Sequence, residues 1–387
     1  MLHMIYLDHA ATTYVYPAVK NEIMKWMQPD HVGNPGSIHT QGSNAFHAIE
    51  VARKQVADLI NTDPSEIYFT SGGTESNNTW IQCLKRHIII TTKLEHHSIL
   101  EPVEHGIVSS AYVSPLFVDV DRTGRVKLED LKRLLATNEG LVGAVSVMWV
   151  NNELGTINPI EEIGLLCKKH NVIFHTDAVQ AAGHTPIDVK KCYVDMLSLS
   201  AHKFGGPLGV GVLYISNAIH KKPLILGGGQ ELGMRGGTQN VPGIVGTGLA
   251  AEITAKYIDS CMSRWKQLRD LFISIMGDKD NLYGQFQING SKDHGTDNII
   301  SLTIPGVESE SLLLLLDKEG ICISAGSACS AGSSDPSHVL MGIGLSESYA
   351  ASTVRISMGV ETTEEEIKMA ADAIVRNAKR LKALYPN

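Results

Sequence analysis

The chain reads as an α/β protein, with a large domain built on a mainly parallel sheet covered by helices on both faces and a smaller α+β domain. Three observations carry this. From about residue 66 to 215, short apolar runs alternate with helix-length patterns; a long helical connector follows over residues 244–275; the pattern then changes to a shorter mixed unit. At 387 residues the chain is long for one core, so two domains around a shared cleft are expected.

In chain order, the strand candidates of the larger unit are Ile67–Thr70, His87–Thr92, Leu141–Val150, Val172–Thr176, Met196–Ser200 and Gly209–Ile215. Helix candidates Leu128–Ala136 and Ile160–His170 fall between them. Strands alternating with helices form βα units, and ligands in such folds sit beyond the carboxyl ends of the strands. The last helix, Glu364–Leu384, carries apolar residues at 367, 370, 371, 374, 378, 381 and 384, one stripe at helical spacing. The N-terminal dozen residues are expected to cross to the smaller unit. The expected division is therefore 14–255 for the large domain, with 1–13 and 256–387 for the small one.

Composition excludes several classes. Hydrophobic residues are 43% and charged residues 19%, ordinary for a globular chain, and the formal charge of −8 comes with scattered Lys and Arg. No basic block offers itself to nucleic acid or to an anionic membrane surface. The densest apolar run, Leu312 to Leu316, is far too short to cross a bilayer. No basic and apolar leader opens the chain, so a cytoplasmic location is expected. The six cysteines are spread without a CxxC pair, which argues for free thiols rather than disulfides or a zinc ribbon, and the histidines show no HxxxH spacing, so no metal site is expected.

Four segments carry chemistry. Ser71-Gly72-Gly73-Thr74-Glu75-Ser76-Asn77-Asn78 follows a strand candidate, and a Gly-rich turn leading into a helix aims backbone N–H groups at one point, a ready anion site. Taken alone, it reads first as an ordinary capped strand-to-helix turn. Lys203 lies in Ser198-Leu199-Ser200-Ala201-His202-Lys203-Phe204-Gly205-Gly206, small residues that can hold a lysine in a tight cleft, where a lowered pKa makes its amine reactive. Asp177, in Phe174-His175-Thr176-Asp177-Ala178-Val179-Gln180, ends a buried strand, where a carboxylate is costly unless paired. A protonated pyridine nitrogen is one such partner and a helix cap the other reading. Cys329, in Ser324-Ala325-Gly326-Ser327-Ala328-Cys329-Ser330-Ala331-Gly332, sits among small polar residues that suggest a mobile loop, whereas Cys322 fits the ordinary buried thiol.

These segments, together with Tyr6–Thr13, Gly33–His39, Glu95-His96-His97, Val150–Glu153, Arg235–Asn240 and Val354–Gly359, resemble in order the cysteine desulfurases of the NifS/IscS type, members of the class V aminotransferase group of fold-type I pyridoxal-phosphate enzymes. The resemblance spans essentially the whole chain. It implies that Lys203 carries pyridoxal 5'-phosphate and moves protons at the substrate Cα. His96 is implied to stack on the ring as an acid/base, Asp177 to pair with the ring nitrogen and Gln180 to bond the ring oxygen. Gly73, Thr74, Ser200 and His202 are implied to hold the phosphate, and Thr238 to reach the phosphate of a neighbouring subunit in a homodimer. Asn152, beside the cofactor, and Arg355 would orient the carboxylate of L-cysteine. Cys329 would attack the substrate sulfur, become a persulfide and leave alanine, and a sulfur acceptor, an iron–sulfur scaffold or a thiolation enzyme, would then take the sulfur. Selenocysteine lyase and class V aminotransferase are the neighbouring alternatives, and an inactive scaffold the remote one. Departures from the family pattern are Leu208, Ala325, His97 and the Met234-Arg235-Gly236-Gly237 wording; none removes a catalytic group.

Overall fold

A computed structural model describes residues 4–108, 111–278, 280–282, 284–325 and 336–384. Among these residues the larger sheet has seven strands, in the spatial order Ile67–Thr70, Gly211–Ile215, Met196–Ser200, Ile173–Asp177, Val142–Ser146, Ile88–Thr91 and Ser114–Phe117. The Gly211–Ile215 strand runs against both neighbours, while the pairings from Met196–Ser200 to the Ser114–Phe117 edge are parallel. The mainly parallel α/β fold expected from the sequence is therefore present, and the Ser114–Phe117 edge strand is an addition to it.

Alternation along each strand explains how both faces are covered. Leu197, Leu199 and Val212 point into one core with Phe174 and the helices Thr40–Ile60, Ile160–His170 and Val241–Met276. Met196, Leu213 and Ile215 point the other way, onto Trp80, Ile81, Ile99 and Val103 of the helices Gly73–Gln82 and His97–His105. The Ile160–His170 helix shows why these segments are helical at all. Glu161 and Glu162 sit in its first turn, Lys168, Lys169 and His170 in its last, and Asn171 closes it with φ of 51°.

The smaller unit is a four-stranded antiparallel sheet, Gln287–Asn289, Ile299–Thr303, Thr353–Ser357 and Ser324–Ala325 in that order. Helices Ser309–Lys318 and Glu364–Leu384 close over it around a separate core that includes Trp265, Phe272, Ile300 and Ile356. Ile5 and Leu7 join this core, and Ile5–Tyr6 pairs in parallel with Ile321–Cys322. The Val241–Met276 helix belongs to both cores, contributing Ala250 and Ala251 to the first and Cys261 and Trp265 to the second. The apolar stripe of the last helix is buried from Ile367 to Leu381, but Leu384, counted in that stripe, is 63% exposed because the core ends a turn earlier.

One close approach sets up the site. A Cβ on Gly211 would lie 2.4 Å from the carbonyl carbon of Gly72, so only glycine lets this strand pass beneath the Ser71–Thr74 turn. Gly211→Ala is expected to push that turn outward at a cost of about 1–3 kcal/mol, and to weaken cofactor retention with it, as a melting curve and dialysis of the holoenzyme would record.

Candidate active site

The carboxyl ends of the parallel strands open on one cavity of about 380 Å³. Its lining brings together Gly73, Thr74, His96, Asn152, Asp177, Gln180, Ser200, His202, Lys203 and Arg355, residues scattered from position 73 to position 355 of the sequence. Thr238 is exposed and does not line it. Cys329 lies outside the described residues.

Each side chain is placed by a strand end or by the crossing N-terminal segment. Lys203 follows the Met196–Ser200 strand, and its Nζ donates to the carbonyls of Ala10 at 2.6 Å and Ala11 at 2.7 Å. Gln180 donates from Nε2 to the same Ala10 carbonyl at 2.7 Å. His202 Nδ1 lies 3.1 Å from Thr12 Oγ1, and its ring is pushed down to about 4 by burial and by Lys203, so it is neutral at physiological pH. Asp177 accepts from the Val179 amide at 2.9 Å and from Asn77 Nδ2 at 2.7 Å. Behind it on the same strand face, His175 stacks on Trp80 at 4.3 Å and 11°, and complete burial holds its ring well below the usual histidine range.

On the other wall Arg355 is only 1% exposed. Its Nη1 donates to the Asn152 carbonyl at 2.9 Å and its Nη2 to Asp8 Oδ1 at 2.9 Å, while Nε has no partner among the described residues. A buried guanidinium with an unsatisfied edge beside a cavity is suited to a carboxylate.

Several contributors were not singled out from the sequence. Asn77 and Ser98 join the site from two helices, Asp8 reaches Arg355, and Glu153 and His338 line the cavity. Glu153 accepts from Ser337 Oγ at 2.5 Å, and burial pushes its carboxyl up to about 7. The only sequence signals were positional: Asn77 stands inside the glycine turn motif and Glu153 directly follows Asn152.

The donor set fits pyridoxal phosphate. Gly73, Thr74, Ser200 and His202 ring the end of the cavity at the start of the Gly73–Gln82 helix, where free backbone N–H groups and the helix dipole favour a phosphate. Gln180 Oε1 and Asn77 Oδ1 are buried without partners among the described residues, and both belong to residues of this lining. A cavity of this volume is of the size small cofactors occupy.

The sequence profile described as aminotransferase class-V matches residues 5–369. The chain belongs to the class-V aminotransferase family. Within this family it is 41% identical to the cysteine desulfurase IscS of Clostridium botulinum, an alignment covering 100% of this chain and 97% of that one. It is also 41% identical to a putative cysteine desulfurase, IscS 1, of Bacillus subtilis, over 98% of this chain and all of that one. Among solved structures, a NifS-like protein superposes with a TM-score of 0.88 at 35% identity, covering 98% of this chain and 100% of its own. SspA in complex with cysteine superposes at 0.78 with 34% identity, covering 92% and 99%. As a class-V family member grouped with the cysteine desulfurases, the chain is a pyridoxal-phosphate-dependent enzyme. No helix among the described residues is long and apolar enough to cross a membrane.

One buried carboxyl of this family member gives a stability prediction. Glu95 Oε1 accepts from Thr92 Oγ1 and the Met148 amide, Oε2 has no partner among the described residues, and burial pushes the group up to about 8. A carboxyl whose folded pKa is raised binds its proton more tightly in the native state, so its contribution is intact at low pH and is lost as pH rises toward 8. Glu95→Gln keeps both acceptor bonds on its amide oxygen. Its melting temperature is expected to exceed wild type at pH 8.5 and to match it near pH 5.

Proposed function

We propose that this cysteine desulfurase removes sulfur from L-cysteine by transferring it to Cys329 and releasing L-alanine. The observation that carries the reading is the convergence of Lys203, Asp177, Gln180, His96 and Arg355 on one cavity at the strand ends. When bound, the cofactor supplies an electron sink for the pair released at the substrate Cα.

The chain's own residues supply the rest. Arg355, its guanidinium fixed by the Asn152 carbonyl and Asp8, takes the substrate carboxylate, and the neighbouring Asn152 helps fix its orientation. Asp177, held by Val179 and Asn77, would pair with the ring nitrogen, and Gln180, held on the Ala10 carbonyl, would bond the ring oxygen. Lys203 Nζ takes the proton from the substrate Cα, and the Ala10 and Ala11 carbonyls receive it in its protonated form. The Cys329 thiolate then forms a bond to the substrate sulfur as the Cβ–S bond breaks. The electron pair passes to the carbon side, where protons complete the methyl group of alanine. Overall, L-cysteine and one thiol give alanine and one persulfide, so no external oxidant or reductant is consumed.

Finer parts of this reading concern partners. Thr238 is exposed and absent from its own cavity, which supports a homodimer in which it serves the neighbouring phosphate site. The segment bearing it is braced by a buried ion pair, Arg53 Nη1 to Glu231 Oε2 at 2.7 Å, across residues Glu231 and Leu232 with φ of 47° and 55°. The persulfide is handed to an acceptor protein, an iron–sulfur scaffold or thiolation enzyme, in the cytoplasm. The test is incubation with L-cysteine and a reductant, measuring alanine and sulfide together. Equimolar products without any keto acid are expected, and a strict keto-acid requirement would move the assignment to an aminotransferase.

A further inference from the structure

The geometry points to His96 being held as the neutral, Nε2-protonated tautomer by a buried chain through Ser98 and Asn77, so that it presents an N–H donor to the cavity. An ionised carboxylate only accepts, so the Asn77 atom 2.7 Å from Asp177 Oδ2 is the amide nitrogen. That fixes the orientation of the Asn77 side chain, which is 1% exposed. The same nitrogen lies 2.8 Å from Ser98 Oγ and donates to it with its second hydrogen.

Ser98 Oγ lies 2.7 Å from His96 Nδ1, and it donates there if that ring nitrogen carries no proton. The Ser98 backbone amide, which can only donate, points at the same Nδ1 from 3.1 Å. Two donors therefore converge on His96 Nδ1, which must offer a lone pair. A proton on Nδ1 would face the Ser98 N–H head to head. His96 is also the N-cap of the His97–His105 helix, whose positive end disfavours an imidazolium.

Among the groups whose electrostatics couple to His96 are Glu153 and His338. Burial holds His338 below the usual histidine range, and Glu153 is pushed up to about 7. Glu153 is thus the one of the two that favours a charged His96, and only above neutrality. With Nδ1 committed, the proton of neutral His96 sits on Nε2. Ser98 and Asn77 act as positioning residues, tying the orientation of the ring-stacking His96 to that of Asp177.

The inference uses the desulfurase reading only for the identity of the substrate, and its test separates the two. Neutron diffraction from perdeuterated holoenzyme at pH 8, where Glu153 pulls hardest toward the charged form, is expected to show deuterium on His96 Nε2 and none on Nδ1, with the Ser98 hydroxyl deuterium directed at the ring. Deuterium on Nδ1 would overturn it, whatever the enzyme does with cysteine. Ser98→Ala in the holoenzyme should lower kcat/KM for cysteine by about tenfold, the scale of one net hydrogen bond, and should raise the pH at which the His96 ring titrates in nitrogen-15 spectra, because only the backbone amide then donates to Nδ1. Ser98→Thr should restore both. A Ser98→Ala variant matching wild type in rate and in ring titration would also sink the idea.

Discussion

Lys203→Ala is expected to lose alanine formation by at least about 10³-fold, the range of a positioned acid–base group, and to release its cofactor on dialysis. The side chain that lines the cavity holds its amine on two carbonyls, Ala10 and Ala11, at 2.6 and 2.7 Å. Those acceptors aim the nitrogen and provide for its charged form, yet they cannot replace it as covalent anchor or as base. Lys203→Arg should not rescue the loss. A guanidinium stays protonated at any working pH, so it can neither attach the cofactor nor take a proton from Cα. Absorbance of the dialysed protein and alanine release, measured side by side, check both parts. Full activity in either variant would remove Lys203 from the chemistry.

Cys329→Ala is expected to keep the cofactor bound but to lose the equimolar production of alanine and sulfide under reductant. Although Cys329 lies outside the described residues, both described flanks of its segment are tied to the site. Ser324 pairs across the ladder with Arg355, and Ser337 donates to Glu153 in the cavity wall. The other thiols are poor substitutes. Cys83, Cys167, Cys192 and Cys261 are buried, and none of the described cysteines lines the cavity. Cys322 is partly exposed, but burial and the nearby Asp317 and Asp8 raise its thiol pKa, which lowers the thiolate fraction that attacks sulfur. Retained colour with lost products would isolate the sulfur-accepting step from cofactor binding.

Much of this arrangement was legible in the sequence because strand ends dictate it. Asp177, Ser200 and the Ser71–Thr74 turn stand at the carboxyl ends of buried strands, and local pattern locates such ends without knowledge of the fold. Arg355 was reached only through the family resemblance, since nothing local tells a strand arginine at a cleft from one on the surface. What stayed hidden are partnerships between distant residues. Asn77 meets Asp177 across 100 positions and Glu153 meets Ser337 across 184, and neither pair has a periodicity or motif that announces it. The Asp8 contact with Arg355 depends on the N-terminal strand joining the small-domain core, a tertiary fact. The apolar stripe of the last helix runs on to Leu384, where helical spacing continues past the point at which the core stops.

The central claim is that sulfur leaves the substrate by way of Cys329, and peptide mapping by mass spectrometry after a single turnover without reductant tests it most directly. One added sulfur atom is expected on the Cys329 peptide, matched by one alanine per active site. Alanine formed with no sulfur on Cys329, or with the sulfur on Cys322, would contradict it.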